Sequence, residues 1–235
     1  MLRVFPVIPA LNAAAHLPAT INALGEGLRT GLIGDWTLAD GGSSDASVSI
    51  ARRAGFRIVT GATGRGGQLA AGAEAASCAM QAGDAFLFLH ADTILEPGWT
   101  GCVRRHLEIS AHADRAAAFS FALDDNSAAA RRLERSVNWR ARVLKLPYGD
   151  QGLLITKAFH DRLGGFKPWP LFEDVDLVRR IGRRRLDILP ARAVTSAERF
   201  RREGYLKRSA KNMSLLTRYY LGADPASLAR AYRAR

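Results

Sequence analysis

Phe86-Leu87-Phe88-Leu89-His90-Ala91-Asp92-Thr93 carries four apolar residues in succession and then stops at a histidine and an aspartate. Four is too few for a buried helix, so the run predicts a strand covered on both faces, as inside a parallel sheet. Ligands of open parallel α/β sheets bind beyond the carboxyl ends of the strands, which is where the polar pair stands. A carboxylate there can hold a hard divalent cation, whose other ligands are waters or substrate phosphates. Asp92 taken alone serves equally well as a cap for the next turn.

Working outward, strands and helices alternate over the first hundred or so residues. Arg3 to Pro9 reads as a first strand, with prolines near its ends. A helix is expected over His16 to Gly27, its apolar stripe running Leu17, Ile21, Leu24 and Leu28. Trp36 to Ala39 and Phe56 to Thr60 read as further strands, with Asp45 capping a helix over Ala46 to Ala54. An alanine-rich helix ends near Met80, and another covers Trp99 to Ile109. Beyond them come a strand at Ala116 to Leu123, a helix at Arg131 to Leu146 and a strand at Gly152 to Thr156. A short helix then ends at Gly164-Gly165, an aromatic loop covers Phe166 to Phe172, and a helix covers Glu173 to Ile181. A strand near Leu186 to Leu189 and a basic C-terminal segment complete the chain. The alternation predicts an α/β fold with a Rossmann-like, mostly parallel central sheet flanked by helices.

Composition narrows the class. With 235 residues, 48% hydrophobic and 24% charged, the chain suits one sizeable core. No apolar run reaches the ~20 residues that span a bilayer. Pro6, Pro9 and Asn12 interrupt any signal-peptide core, so no targeting segment is expected. Two cysteines form neither a disulfide framework nor a metal cluster, and a reduced cytoplasmic setting is the default. The net charge of +12 is uneven: residues 179–211 carry 12 Lys or Arg against 3 Asp or Glu, and residues 131–145 carry 6 against 1. Such patches attract phosphates, whether of nucleic acid, anionic lipid or a nucleotide diphosphate.

Four places invite chemistry. The loop Gly61-Ala62-Thr63-Gly64-Arg65-Gly66-Gly67-Gln68 lies between a strand and a helix, where backbone N–H groups favour anions. Its spacing is neither a dinucleotide fingerprint nor a Walker loop. Asp40, opening Asp40-Gly41-Gly42-Ser43-Ser44-Asp45, ends the second strand and could meet a base or ribose, or else form an Asx turn. In a parallel sheet Pro9 to Asn12, Asp40 and Asp92 all border one crevice. Glu173-Asp174-Val175-Asp176-Leu177 opens a helix whose dipole keeps a carboxylate ionised, as a general base requires; the same dipole suits a structural role. Trp169 and Phe172 would suit the wall of a sugar site.

Taken in order, Ile8-Pro9-Ala10-Leu11-Asn12, Asp40 to Asp45, His90-Ala91-Asp92-Thr93 and Glu173 to Leu177 resemble the family 2 glycosyltransferases of the GT-A fold over nearly the whole chain. The closer likeness is to a small soluble bacterial subfamily of transferases associated with radical-SAM or selenium-related proteins. It shows Asp-Gly-Gly-Ser (Asp40–Ser43), Gly-Arg…Gln (Gly64–Gln68), His-Ala-Asp-Thr (His90–Thr93), Gly-Asp-Gln-Gly (Gly149–Gly152) and Glu-Asp (Glu173-Asp174) in this order. The resemblance implies one GT-A domain over 1–235, with a nucleotide-binding half at 1–115. The acceptor-binding half and basic C-terminal segment would occupy 116–235. It implies an inverting transfer from a UDP-, GDP- or dTDP-sugar to a hydroxyl of a small-molecule or lipid-linked acceptor.

By the same resemblance Pro9, Ala10, Leu11 and Asn12 would line the donor nucleotide, Asp40 would bind the base, and Arg65 would sit near the diphosphate. His90 and Ala91 would border the donor, with Asp92 the ligand of Mg²⁺ or Mn²⁺. Asp174 would be the base, supported by Glu173, and Gly149, Asp150, Gln151 and Trp169 would lie on the acceptor side. His90 stands where the usual signature has an aspartate. Two other readings share some of these features. A sugar nucleotidyltransferase also pairs a Gly-rich loop with a metal carboxylate, but places it after the first strand, where Pro9 to Asn12 stand here. A nucleic-acid-binding protein would use the basic segment, yet residues 179–211 hold no reading motif and little aromatic interleaving. In addition to the transferase reading, the basic helix at Arg131 to Lys145 could touch anionic membrane at the inner face and bring in a lipid-linked acceptor.

Overall fold

The computed structural model describes residues 2–109 and 114–233. Its strands are β1 (Val4–Ala10), β2 (Thr37–Asp40), β3 (Arg57–Val59), β4 (Ala85–Phe88), β5 (Thr93–Leu95), β6 (Ala116–Leu123), β7 (Leu153–Thr156) and β8 (Leu186–Thr195). The helices are α1 (Leu17–Arg29), α2 (Ser47–Arg53), α3 (Arg65–Ser77), α4 (Trp99–Glu108), α5 (Ala128–Trp139), α6 (Lys157–Arg162), α7 (Glu173–Ile181), α8 (Glu198–Glu203), α9 (Tyr205–Tyr220) and α10 (Pro225–Arg233). One sheet runs β3-β2-β1-β4-β7-β6-β8-β5. Its first four strands are parallel, as is β6 with β8; β7 lies antiparallel to both β4 and β6, and β5 to β8.

The quoted strand sits in the middle of this sheet and is buried throughout. Its residues alternate between two cores. Leu87 and Leu89 join Ile8, Leu17, Leu38 and Trp99 on one face, while Phe86 and Phe88 join Val7, Leu69, Phe159 and Leu177 on the other. Burial on both faces is why the sequence shows a continuous apolar run instead of an alternation.

Several local expectations shift. Pro6 and Pro9 lie third and next to last in β1, which is a central strand with neighbours on both sides. β1 pairs with β4 through Val4–Val7 and with β2 through Val7–Ala10, so each proline stands beside one paired neighbour and costs the ladder at most one bond. Leu28 is exposed, because α1 turns that side of its stripe to solvent. The helix expected to Leu146 ends as α5 at Trp139, followed by one π turn over Arg140–Leu144 and a left-handed Lys145. The guanidinium of Arg140 lies 4.0 Å over the Tyr148 ring. β5 follows directly on Asp92 and was not foreseen. β8 runs on past Pro190, which falls in a register shift against β6 between Phe119 and Ser120.

Candidate active site

The parallel order β3-β2-β1-β4 brings the ends of β1, β2 and β4 to one edge of the sheet, with Ala10 paired to Asp40. The loops beyond them are tied together. Asn12, at φ +51°, accepts the N–H of Ser44 at 2.9 Å, and its own N–H reaches the Ser43 hydroxyl at 2.9 Å. The carboxylate of Asp45 accepts the N–H groups of Ala14 and Ser47, linking the β1 loop to the first turn of α2. Gln68 donates from Nε2 to the carbonyls of Ala10 (2.8 Å) and Ala39 (2.7 Å), so α3 pins both strand ends from beneath. Asp40 is buried and accepts the N–H groups of Gly42 and Ser43, each at 3.0 Å, which is the Asx-turn geometry. Pro9 and Ala10 are enclosed by the sheet edge, whereas Leu11 and Asn12 are exposed.

The remaining motifs converge on Gly149. Its N–H donates to Asp174 Oδ2 at 2.6 Å. A methyl group at this position would stand 2.8 Å from His90 Nε2, 3.0 Å from Asp174 Oδ2 and against the Arg65 guanidinium. Three motifs separated by up to 109 positions therefore meet within one side-chain volume, and only glycine leaves that volume open. Arg65 Nε lies 2.9 Å from Glu173 Oε1. Asp174 is further fixed by the N–H of Val175 at 2.7 Å. Phe172, at φ +64°, turns the chain into α7; a left-handed aromatic is uncommon and is held by packing against Tyr219. A cavity of about 30 Å³ beneath the cluster is bounded by Arg65, His90, Tyr148, Gly149 and Asp174.

Charge here is set by burial and by neighbours. Burial pushes Glu173 up to about 7 despite the opposing pull of Arg65. Burial likewise raises Asp150, against the attraction of Arg140. Burial, then Arg65 and Arg199, hold His90 well below the ordinary imidazole value, so the ring is neutral. Burial works against the charge of Arg65, but the carboxylates of Glu173, Asp174, Asp150 and Asp92 outweigh it and raise its pKa. His90 Nε2 and Asp150 Oδ1 are both buried without a hydrogen-bond partner. Both lie beside Arg65 and leave bonding capacity open toward the cluster.

A divalent cation fits this donor set in one way. Among the described residues no three His, Cys, Asp or Glu side chains gather as a closed cation site. Asp92 keeps its carboxylate about one-third exposed, with His90 Nδ1 3.9 Å away. Because His90 is neutral it does not compete with a cation for Asp92. A hard cation accepting one carboxylate and taking its other oxygens from substrate phosphates and water suits such a site.

The acceptor-side residues separate. Gly149 and Asp150 border the cluster, but Gln151 is fully buried and donates to the Phe119 carbonyl at 2.8 Å, bracing the sheet. Trp169 contributes its carbonyl to the N–H of Gly66 (3.0 Å), while its ring lies against Tyr219 of α9 and under Lys167. A side chain on Gly66 would meet the backbone of Trp169 at 2.7 Å, so this glycine serves close packing of α3 on the 167–170 loop. Asp176 is ion-paired with Lys167 and Arg180, and Arg180 in turn holds the carbonyls of Leu163 and Gly165. Sequence reasoning did not single out Arg199. β5 pairs with β8 at Thr93 and Thr195, which sets α8 beside the Asp92 loop, and Glu198 reaches His16 across the rim at 3.6 Å. No local pattern announces that placement; it depends on the unforeseen length of β8.

The family model described as Glycosyl transferase family 2 matches residues 7–160, about two thirds of the chain. No curated protein matches. Among solved structures, glucosyl-3-phosphoglycerate synthase from Mycobacterium tuberculosis, in complex with Mn²⁺, UDP and glucosyl-3-phosphoglycerate, is similar at a TM-score of 0.53 and 17% identity, covering 83% of this chain and 70% of that one. GalNAc-T7 with UDP, GalNAc and Mn²⁺ aligns at 0.61 and 14% identity, over 83% of this chain and 44% of its own. S. aureus TarS (1–349) aligns at 0.62 and 12% identity, over 83% of this chain and 61% of its own. At these identities the structures speak for the fold, an α/β sheet of the GT-A type, while the sequence match covers β1 through most of α6. The chain belongs to glycosyl transferase family 2.

Proposed function

We propose that the crevice transfers a sugar from a nucleotide-sugar donor to an acceptor hydroxyl, with inversion at the anomeric carbon. The observation that carries this reading is the meeting of Arg65, His90, Gly149, Glu173 and Asp174 around one unfilled volume, beside Asp92 at the end of β4. Two of the solved structures named above, those of glucosyl-3-phosphoglycerate synthase and GalNAc-T7, hold UDP with Mn²⁺, which supports a nucleotide diphosphate as the donor's handle. Residues 1–115 would supply the donor side and 116–235 the acceptor side. The five motifs in register support the narrower bacterial subfamily.

Each side chain has a task that follows from its surroundings. Arg65, kept charged by four carboxylates, meets the phosphates of the donor. Asp92 would hold the divalent cation, Mg²⁺ or Mn²⁺, which when bound neutralises charge on the leaving diphosphate. Asp174 is part-exposed and fixed by two backbone N–H groups, so it accepts the acceptor's proton from a set position. Glu173 is 1% exposed; it cannot reach an acceptor and instead positions Arg65. Pro9 to Asn12 and the Asp40 loop would flank the base.

The test is a panel of UDP-, GDP- and dTDP-sugars, with and without Mn²⁺, read as nucleoside diphosphate release. Asp174→Asn is expected to lower turnover by about 10²–10⁴-fold while donor binding persists, the loss typical of a general base. Normal turnover in that variant would refute the assignment. Asp92→Asn is expected to abolish the Mn²⁺-dependent part of donor binding; an unchanged Mn²⁺ dependence would remove Asp92 from the site.

A further inference from the structure

We propose that the outer faces of α5 and α9 form a docking surface for an anionic phospholipid bilayer. Eleven large hydrophobic residues are exposed among the described residues, and six of them fall within residues 139–143 and 206–221. They include Leu206 at 88%, Leu221 at 82%, Trp139 at 59% and Val143 at 58% exposure. On α9 the residues Leu206, Ala210, Met213, Thr217 and Tyr220 recur at spacings of four and three, and all are exposed. That is the repeat of one helix face, here turned to solvent instead of the core. On α5 and its π turn, Arg132, Arg135, Trp139 and Val143 follow the same repeat on the outside.

The charge around these faces selects the occupant. Arg132, Arg135, Arg142, Lys207 and Arg218 are exposed and form no ion pair among the described residues. The acids nearby are already engaged: Glu134 by Arg131, Glu203 by Arg208, Asp124 by Arg201 and Asp125 by Tyr205. Glu198 is the one exposed acid on α5, α8 and α9. An apolar helix face flanked by cations is the signature of a helix lying in a bilayer interface, with tryptophan at the headgroup level. A second copy of this chain would set like charges against each other across a two-fold axis. A nucleic acid backbone would leave Leu206 and Leu221 without apolar partners.

The inner sides of the same elements reach the site. α5 and the start of α9 share a small core through Leu133, Val137, Phe200 and Tyr205. Tyr219 of α9 packs on Trp169 and Phe172, and Arg140 stacks on Tyr148 next to Gly149. Docking would therefore bring lipid to the elements behind the acceptor side. The lipid-linked acceptor rests on the proposed function; the docking itself does not.

The experiment is flotation of the whole chain with vesicles of phosphatidylcholine alone and of phosphatidylcholine mixed with phosphatidylglycerol, at low and high salt, needing no substrate. Binding to the anionic vesicles and not to the neutral ones is expected. Lys207→Gln and Arg218→Gln should each weaken it by about fivefold. Leu206→Ser with Met213→Ser, both on an exposed face, should abolish the binding to the anionic vesicles, with an unchanged circular dichroism spectrum. Equal binding to both vesicles, no binding to either, or indifference to these substitutions would overturn the proposal. So would a concentration-dependent dimer dissolved by Leu206→Ser, which would give the face to a second copy.

Discussion

Replacing Glu173 by glutamine tests how the cluster balances burial against ion pairing. The carboxylate is 1% exposed and 2.9 Å from Arg65, and burial wins, placing its pKa at about 7 against 4.5 for an ordinary glutamate. Between those values the folded protein holds a proton that the unfolded chain has lost. The wild type is therefore fully stabilised by this group below about pH 4.5, and loses that stability as the pH rises through about 7. The difference between the two pKa values corresponds to about 3 kcal/mol. Glutamine cannot ionise, and Arg65 retains the fields of Asp174, Asp150 and Asp92. Urea unfolding of both proteins from pH 4 to pH 8 isolates the effect as a difference, because other titrating groups are common to the pair. Glu173→Gln should gain on the wild type by about 3 kcal/mol across the window. A flat difference would mean that Glu173 titrates normally. The opposite slope would mean that Arg65 dominates, and the assignment of Glu173 as a buried positioning group would fail.

Three further outcomes follow from named contacts. Gly149→Ala puts a methyl group against Arg65, His90 and Asp174, so it should lower stability by about 1–3 kcal/mol, the cost of overpacking, seen as a lowered thermal midpoint, and should weaken nucleoside diphosphate binding, read by calorimetric titration with UDP, GDP and dTDP in Mn²⁺; unchanged affinity would show that the volume is not used. Gln68→Ala removes the side-chain donor of the Ala39 carbonyl and one of two donors to the Ala10 carbonyl, which keeps the Gly41 N–H; it should cost about 1–3 kcal/mol, seen as a lowered thermal midpoint, and an unchanged midpoint would deny it the role of pinning β1 to β2. Asp176→Ala should lower stability, leaving Lys167 and Arg180 without their carboxylate, yet leave the pH dependence of turnover unmoved; a shifted profile would place Asp176 in the chemistry.

Much of this was legible because it is local. Phe86 to Leu89 announced a central strand through an apolar run that only two-sided burial explains, and both cores bear this out. The alternation of strands and helices implied parallel strands whose ends share one edge, and Ala10 does pair with Asp40 there. The helix ends were harder to read. α5 stops at Trp139 because Arg140 finds Tyr148, a partner eight residues on that no periodicity announces. Beyond Leu189 the chain read only as basic; α9 and α10 depend on covering Val175, Trp169 and Phe172, surfaces that exist once α7 is in place.

The division lies in the range of the forces. Sequence by itself determined the strand core, the order of the polar motifs and the sign of the charge around them, since each is carried by neighbouring residues and by the periods 2 and 3.6. Tertiary structure alone decided that Gly149 would be the point at which Arg65, His90 and Asp174 meet, that burial would outweigh Arg65 at Glu173, and that the charge of Arg199 would bear on His90. Those outcomes depend on distances between segments far apart in the chain and on how much water the packing leaves between them.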